Sequence, residues 1–324
     1  MLKTVVITCF LASSFYCQGQ STTGITGIPD TSYSNYSAFI QTRKTHPDIR
    51  VPNVPSTKKV REQKDLVYCN REGRALKLDT FVPAAKGKGR TAILFVHGGG
   101  WRTGNRTQHH DLARKMALMG YVVFTPEYRL STEALYPAAV HDIKASLRWL
   151  HAHAAEYGVD TAKIAIGGFS AGGQLAALVG STNGNVNMEG TGCTDGSSSV
   201  GAILDLDGIL AFIHPESGEG DDSKRTSAAT YWFGYGKDAR PEIWKEASAL
   251  THVGPHTPPT LFLNSSVDRM HAGRDDYRKV LDQYGIYSEV HQFEGAPHGF
   301  PLFQPWFEPT VQYIDEFLKK VFGK

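Results

Sequence analysis

KIAIGGFSAGGQLAAL, residues 163–178, passes from a strand-forming run (Ile164-Ala165-Ile166) through a serine bracketed by glycines (Gly168-Phe169-Ser170-Ala171-Gly172) into an apolar helix (Leu175-Ala176-Ala177-Leu178). A G-x-S-x-G between a strand and a helix lifts the serine onto a tight turn at the carboxyl end of the strand. The glycines are needed there because side chains would collide, and the helix start aims N–H groups and its dipole at a reacting carbonyl. Ser170 is therefore the candidate nucleophile.

Outward from this turn, short apolar strands alternate with helical periodicity. Leu66–Cys69 and Leu76–Val82 read as antiparallel leading strands. Thr91–Val96, Tyr121–Thr125, Lys163–Gly167, Val200–Leu206, Thr260–Asn264 and Tyr287–Phe293 follow them. Helices are expected over Gln108–Met119, Ala138–Tyr157, Ala171–Val179, Asp275–Tyr284 and Phe307–Val321, the last with Val311, Ile314, Phe317, Leu318 and Val321 on one face. Such alternation predicts an α/β fold: a mostly parallel eight-stranded sheet with helices on both faces, whose ligand-meeting groups lie on loops leaving the carboxyl ends of strands. His97–Arg106, Glu127–Tyr136, Asp207–Arg240, Ser265–Arg274 and Glu294–Trp306 are those loops. Residues 180–199 run from a helix to a strand and are expected to form a surface insertion away from the chemistry.

A serine at its ordinary pKa is a weak nucleophile, so the chain must also supply an oxyanion site, a base and an orienting acid. His97-Gly98-Gly99-Gly100-Trp101 follows a strand directly. Its glycines let the main chain approach a ligand, so the N–H groups of Gly99, Gly100 and Ala171 are the expected oxyanion hole. His97 reads as a brace for that loop, not a proton carrier. Downstream, in the order serine, acid, histidine, His298 stands in Gly295-Ala296-Pro297-His298-Gly299-Phe300 and is the candidate base. The acid is expected after the preceding strand, at Asp268 in Ser265-Ser266-Val267-Asp268, with Asp275 and Asp276 as alternatives close by. Tyr128, Arg129 and Asp142 are placed to brace the helix beneath the site, either as a structural pair or as a solvated one.

Composition excludes several classes. The 324 residues are 41% apolar and 20% charged, and 34 Lys and Arg against 32 Asp and Glu leave a net charge of +2, too balanced for a surface that tracks phosphates. No nucleic-acid partner is expected. Neighbouring His109 and His110, and the pair His151 and His153, do not face one another on a helix, so no metal site is expected. Lys3, the apolar stretch Val5–Phe15 and the small or polar residues after it read as a secretory signal peptide over residues 1–19. The apolar run is short of the ~20 residues that a membrane span requires. Residues 20–64 then form an irregular arm, and residues 65–324 the catalytic domain. Of the four cysteines only Cys69 and Cys193 outlast cleavage, and the sequence leaves open whether they pair.

His97-Gly98-Gly99-Gly100-Trp101, Glu127-Tyr128-Arg129-Leu130, Tyr136-Pro137-Ala138-Ala139, Gly167–Gly173, Asp268 and His298-Gly299-Phe300 together resemble the α/β-hydrolase superfamily, and within it secreted bacterial carbohydrate esterases of the feruloyl/acetyl-xylan esterase type. The resemblance implies an α/β-hydrolase fold and a secreted or periplasmic, cofactor-free serine carboxylesterase that removes acetyl or feruloyl groups from plant cell-wall polysaccharide, xylan or pectin. Relatives in which the Asp268 position is not acidic keep Asp275 open as the acid. Aromatic residues on the strand-exit loops fit a sugar-binding mouth: Trp101, Trp232 and Trp306 foremost, with Tyr231, Phe233, Tyr235, Phe300 and Phe303. Two rival readings share the scaffold, a dipeptidyl-peptidase-like serine peptidase and a non-catalytic binding protein.

Overall fold

The computed structural model describes residues 20–71 and 73–323; the expected signal peptide, residues 1–19, lies outside the described residues. In chain order the elements are α1 (Asn35–Thr42), β1 (Val60–Arg71), β2 (Arg74–Pro83), β3 (Arg90–Val96), α2 (His110–Leu118), β4 (Val122–Pro126), α3 (Ala138–Tyr157), β5 (Val159–Phe169), α4 (Ala171–Ser181), β6 (Ala202–Leu206), α5 (Ala228–Phe233), α6 (Pro241–Glu246), β7 (Thr260–Asn264), α7 (Arg274–Gln283), β8 (Ser288–Gln292) and α8 (Phe307–Phe322). The sheet runs β1-β2-β4-β3-β5-β6-β7-β8. β1 and β2 are antiparallel to each other, β2 is antiparallel to β4, and every later pairing is parallel.

Strand periodicity builds two cores, one on each side of the sheet. On β3, Ala92, Leu94 and Val96 face α3 and α4, where Ile143, Leu147, Leu175 and Leu178 pack. Ile93 and Phe95 point the other way, toward Met116 of α2 and Ile314 and Phe317 of α8. Each such buried side chain contributes roughly 1.5–3 kcal/mol, and because the strand period is two, every central strand can feed both layers only by being apolar throughout. That is why these strands read in the sequence as continuous apolar runs.

Three features differ from expectation. β1 begins at Val60, not near Asp65, because the polar residues Arg61–Gln63 pair with Val82–Thr80 along an edge strand, where apolar alternation is not required. The arm carries a helix of its own, α1, whose Ala38 is buried with Ile49 against the α2–α8 side of the core. Between β6 and β7, α5 and α6 interrupt what the sequence suggested was loop. The 180–199 insertion is held in place by Glu189, which accepts from the buried Lys144 and from Arg148 at 2.9 Å each, and by a disulfide between Cys193 and Cys69 of β1. No helix among the described residues is long and apolar enough to cross a membrane.

Candidate active site

Ser170 stands between β5 and α4 with φ 58° and ψ −123°, a backbone state that a side chain adopts only when the surroundings enforce it. The enforcement is close packing. A Cβ on Gly172 would run into the carbonyl oxygen of Val96 at the end of β3, so α4 can start directly against β3 only with glycine there. The Ser170 N–H donates to the carbonyl of Leu206, which ties the turn to the neighbouring strand β6.

The Ser170 hydroxyl donates to His298 Nε2 at 2.8 Å, and His298 Nδ1 donates to Asp207 Oδ2 at 2.8 Å. Asp207, not Asp268, is the carboxylate on the histidine. Asp268 is exposed on a short 3₁₀ turn, Asp268–His271, and Asp275 is exposed beside Arg274; neither meets His298. The reason lies in sheet order. β6 adjoins β5, so the first residue after β6 is one strand spacing from the serine, whereas Asp268 lies one strand further out and four residues past the end of β7. The loop after β7 supports this carboxylate: the Ser265 N–H donates to Asp207 Oδ1 at 2.8 Å, and His271 Nε2 lies 3.4 Å from the same oxygen. Burial by itself raises the Asp207 carboxyl, but donors from His271, His298 and Ser265, with the charge of His298, bring it down to about 2. Asp207 thus stays ionised although fully buried. A sequence signal for it existed: an aspartate directly after the apolar strand Ala202–Leu206, between Ser170 and His298 in chain order.

The expected oxyanion side is formed by the loop after β3. Gly99 has φ 123°, and a Cβ there would strike the Thr103 carbonyl, so only glycine permits this path. Gly100 and Ala171 line the same cavity as Ser170, and among the described residues no acceptor is found for their N–H groups. The loop is braced from behind. The Gly98 N–H donates to Gln108 Oε1 at 2.7 Å, His97 Nδ1 donates to the Gly98 carbonyl, and the Tyr128 hydroxyl donates to the His97 carbonyl while its ring stacks on the imidazole. Burial lowers the His97 pKa to about 4, so the ring is a neutral brace. Asp142 is fully buried and takes two hydrogen bonds of 2.8 Å from the Arg129 side chain, which makes that pair structural.

Residues from five strand exits surround a cavity of about 170 Å³. Ser170 and His298 are at its base, Trp101, Ile209, Ala228 and Met270 make its apolar wall, and Glu219 and Arg269 its polar one. The aromatic mouth expected from the sequence is largely core. Trp232 is fully buried, stacked on Trp101 at 5.0 Å and edge-on to Tyr136; Trp306 packs edge-on to His46 of the arm; Phe233, Phe300 and Phe303 are buried. Of the expected aromatics only Trp101 reaches the cavity, held by its Nε1–H to Gln174 Oε1 at 2.8 Å. Large rings on the segments beside an apolar sheet bury themselves together because that removes the most apolar surface from water. A larger cavity of about 410 Å³, between Phe212–Ser217 and Lys237–Pro241, contains neither Ser170 nor His298.

A serine on a strand-to-helix turn of a mostly parallel eight-stranded sheet, with its histidine and carboxylate on later strand exits, defines the α/β-hydrolase fold. Residues 78–272 match the BD-FAE family, and the chain belongs to it. Among curated relatives, the probable carboxylic ester hydrolase LipM of Mycobacterium tuberculosis is 29% identical over 267 residues, covering 78% of this chain and 59% of LipM. The chain spans less than two thirds of the length of such relatives. Among solved structures, a truncated carbohydrate esterase from gut microbiota superposes with a TM-score of 0.69 at 21% identity, over 82% of this chain and all of that one. Esterase 2 of Thermogutta terrifontis, solved with propionate bound, gives a TM-score of 0.65 at 27% identity over 82% of this chain and 96% of its own; a butyrate-bound form is similar.

Proposed function

We propose that the protein is a secreted serine carboxylesterase that removes short acyl groups, acetyl foremost, from plant cell-wall polysaccharide. The observation that carries the reading is the unbroken hydrogen-bonded line Ser170–His298–Asp207, with Gly100 and Ala171 on the other side of the serine. Ser170 Oγ attacks the ester carbonyl while His298 Nε2 takes its proton, and the N–H groups of Gly99, Gly100 and Ala171 receive the developing oxyanion. Asp207 holds the histidine with Nδ1 protonated and stabilises the imidazolium. The tetrahedral intermediate expels the sugar oxygen, which takes the proton from Nε2 and leaves an acyl-serine. Water then attacks that acyl group, giving one proton to Nε2; the second tetrahedral intermediate collapses as Ser170 takes that proton back, and the acyl group departs as the carboxylic acid, which ionises in solvent.

Three further observations support the finer parts of the reading. The cavity is about 170 Å³, which suits an acetyl group together with the first atoms of an alcohol better than a feruloyl ring. The similarity to an esterase solved with propionate and butyrate favours the same size of acyl group. The Cys69–Cys193 bond fits an oxidising compartment, in accord with the leader read from residues 1–19. The polysaccharide assignment rests on the resemblance of the sequence to carbohydrate esterases. Initial rates on acetylated xylan, acetylated pectin and feruloylated xylan, beside Ser170→Ala, test it. Serine-dependent release of acetate is expected; ferulate release alone would overturn the acyl preference, and no release from any ester would overturn the reading.

A further inference from the structure

We infer that Glu219 and Arg269 clamp the hydroxylated alcohol half of the ester, so that the site selects esters of sugars over esters of simple alcohols; this rests on the esterase reading above. The placement follows from strand order. The oxyanion donors come from the exits of β3 and β5, while Glu219 and Arg269 come from the exits of β6 and β7, on the side from which His298 arrives after β8. Nε2 of His298 must hand its proton to the leaving oxygen, so the alcohol half lies on the His298 side and meets this pair.

The pair is built to receive a ligand that both donates and accepts. Glu219 is largely buried, and its Oε1 meets Arg269 Nη1 at 3.4 Å, a loose contact; among the described residues no donor is found for Oε2. Its backbone is fixed by the N–H bond to Ser217 Oγ at 3.2 Å, and Gly218 leaves room for the Arg269 stem, since a Cβ there would come within 3.2 Å of Arg269 Cδ. Burial pushes the Glu219 carboxyl up, and the charges of Arg269 and His298 oppose this. A confined carboxylate with open acceptor positions is poorly served by an alkyl alcohol, which brings no further O–H and displaces water. A hydroxyl beside the ester carbon of a sugar donates to Glu219, and its neighbouring oxygen accepts from Arg269.

The test compares kcat/KM for a mono-acetylated methyl xyloside, for its analogue lacking the neighbouring hydroxyl, and for p-nitrophenyl acetate. The enzymes are the full chain and its Glu219→Gln, Glu219→Leu and Arg269→Met variants. Hydrogen bonds to a charged group are worth about 1.5–3 kcal/mol, so Glu219→Leu should lower the ratio of sugar-acetate to aryl-acetate rates by roughly 10–100-fold, with Glu219→Gln between it and the parent. The deoxy substrate should show the same loss with the parent and little loss with Glu219→Leu, a coupling that a merely structural glutamate would not produce. Arg269 is largely exposed, so Arg269→Met addresses the question even if both Glu219 variants misfold. An unchanged ratio in variants that fold overturns the clamp while leaving the esterase reading in place. Absence of Ser170-dependent hydrolysis of all three esters by the parent overturns both.

Discussion

Replacing Asp207 by Asn tests the proposed triad, because it separates the carboxylate that meets His298 from the one that the sequence suggested. Asn keeps the shape of the side chain but offers one acceptor and one donor where Asp207 offers two acceptors. The Ser265 N–H donates to Oδ1 at 2.8 Å and, being main chain, cannot turn away, so the amide oxygen goes to Ser265 and the NH₂ group faces His298 Nδ1. The imidazole must then accept at Nδ1 and carry its proton on Nε2, aimed at Ser170 Oγ. In that tautomer it cannot remove the serine proton. Loss of the correct tautomer in a serine triad lowers kcat by about 10⁴-fold, or roughly 5 kcal/mol in the barrier at ~1.36 kcal/mol per tenfold. Folding should survive. The carboxyl lies near 2, down from 3.8, so its charge contributes roughly 2 kcal/mol of stability at neutral pH, present above pH 3.8 and lost as the pH falls through about 2. Steady-state hydrolysis of p-nitrophenyl acetate by Asp207→Asn and by Asp268→Asn, with thermal melts of both, is the assay. Asp207→Asn should be nearly inactive and melt a few degrees lower, and Asp268→Asn should stay within a few-fold of the parent. Retention of more than about a tenth of the activity by a folded Asp207→Asn protein would refute the tautomer argument.

Gly172→Ala places a methyl group against the Val96 carbonyl; main chain cannot yield as a side chain does, so the cost should reach the upper part of the roughly 1–3 kcal/mol seen for overpacking. It should show as a lower urea midpoint with activity lost in proportion to the displaced Ser170. Burial lowers His97 to about 4 and His109 to about 3 from 6.5, so between pH 6.5 and 4 the unfolded chain takes up protons that the folded one refuses. Stability should fall by roughly 4 kcal/mol from pH 7 to pH 5 through these two residues; a flat unfolding free energy over that range would contradict their neutral burial. Reduction, or Cys69→Ala with Cys193→Ala, opens a cross-link spanning 124 residues and should cost up to roughly 4–5 kcal/mol in the unfolding free energy, with kcat/KM on soluble esters little changed because neither cysteine lines the cavity.

Several parts of this protein were set by local sequence. Strand–helix alternation, the serine on its turn and the glycine loop after β3 depend on φ/ψ preferences, period-two apolar runs and glycine's freedom from a Cβ, all of which act within a few residues, and they appear in the structure where the sequence places them. α3 occupies Ala138–Tyr157 as read, because its apolar positions Ile143, Leu147, Leu150 and Ala154 recur at helical spacing within the segment itself. Tertiary structure alone decided the rest. Asp207, Asp268 and Asp275 all follow strands and all suit the chain order, and what separates them is that β6, not β7, lies beside β5. Trp101, Trp232 and Trp306 look alike in sequence, yet one lines the cavity, one is buried in an aromatic stack and one packs on the arm. Glu219 and Arg269, fifty residues apart, gave no signal until two strand exits brought them to one wall. Which strand neighbours which, and which side of a loop faces the sheet, are set by the packing of the whole chain, and no window of sequence contains that information.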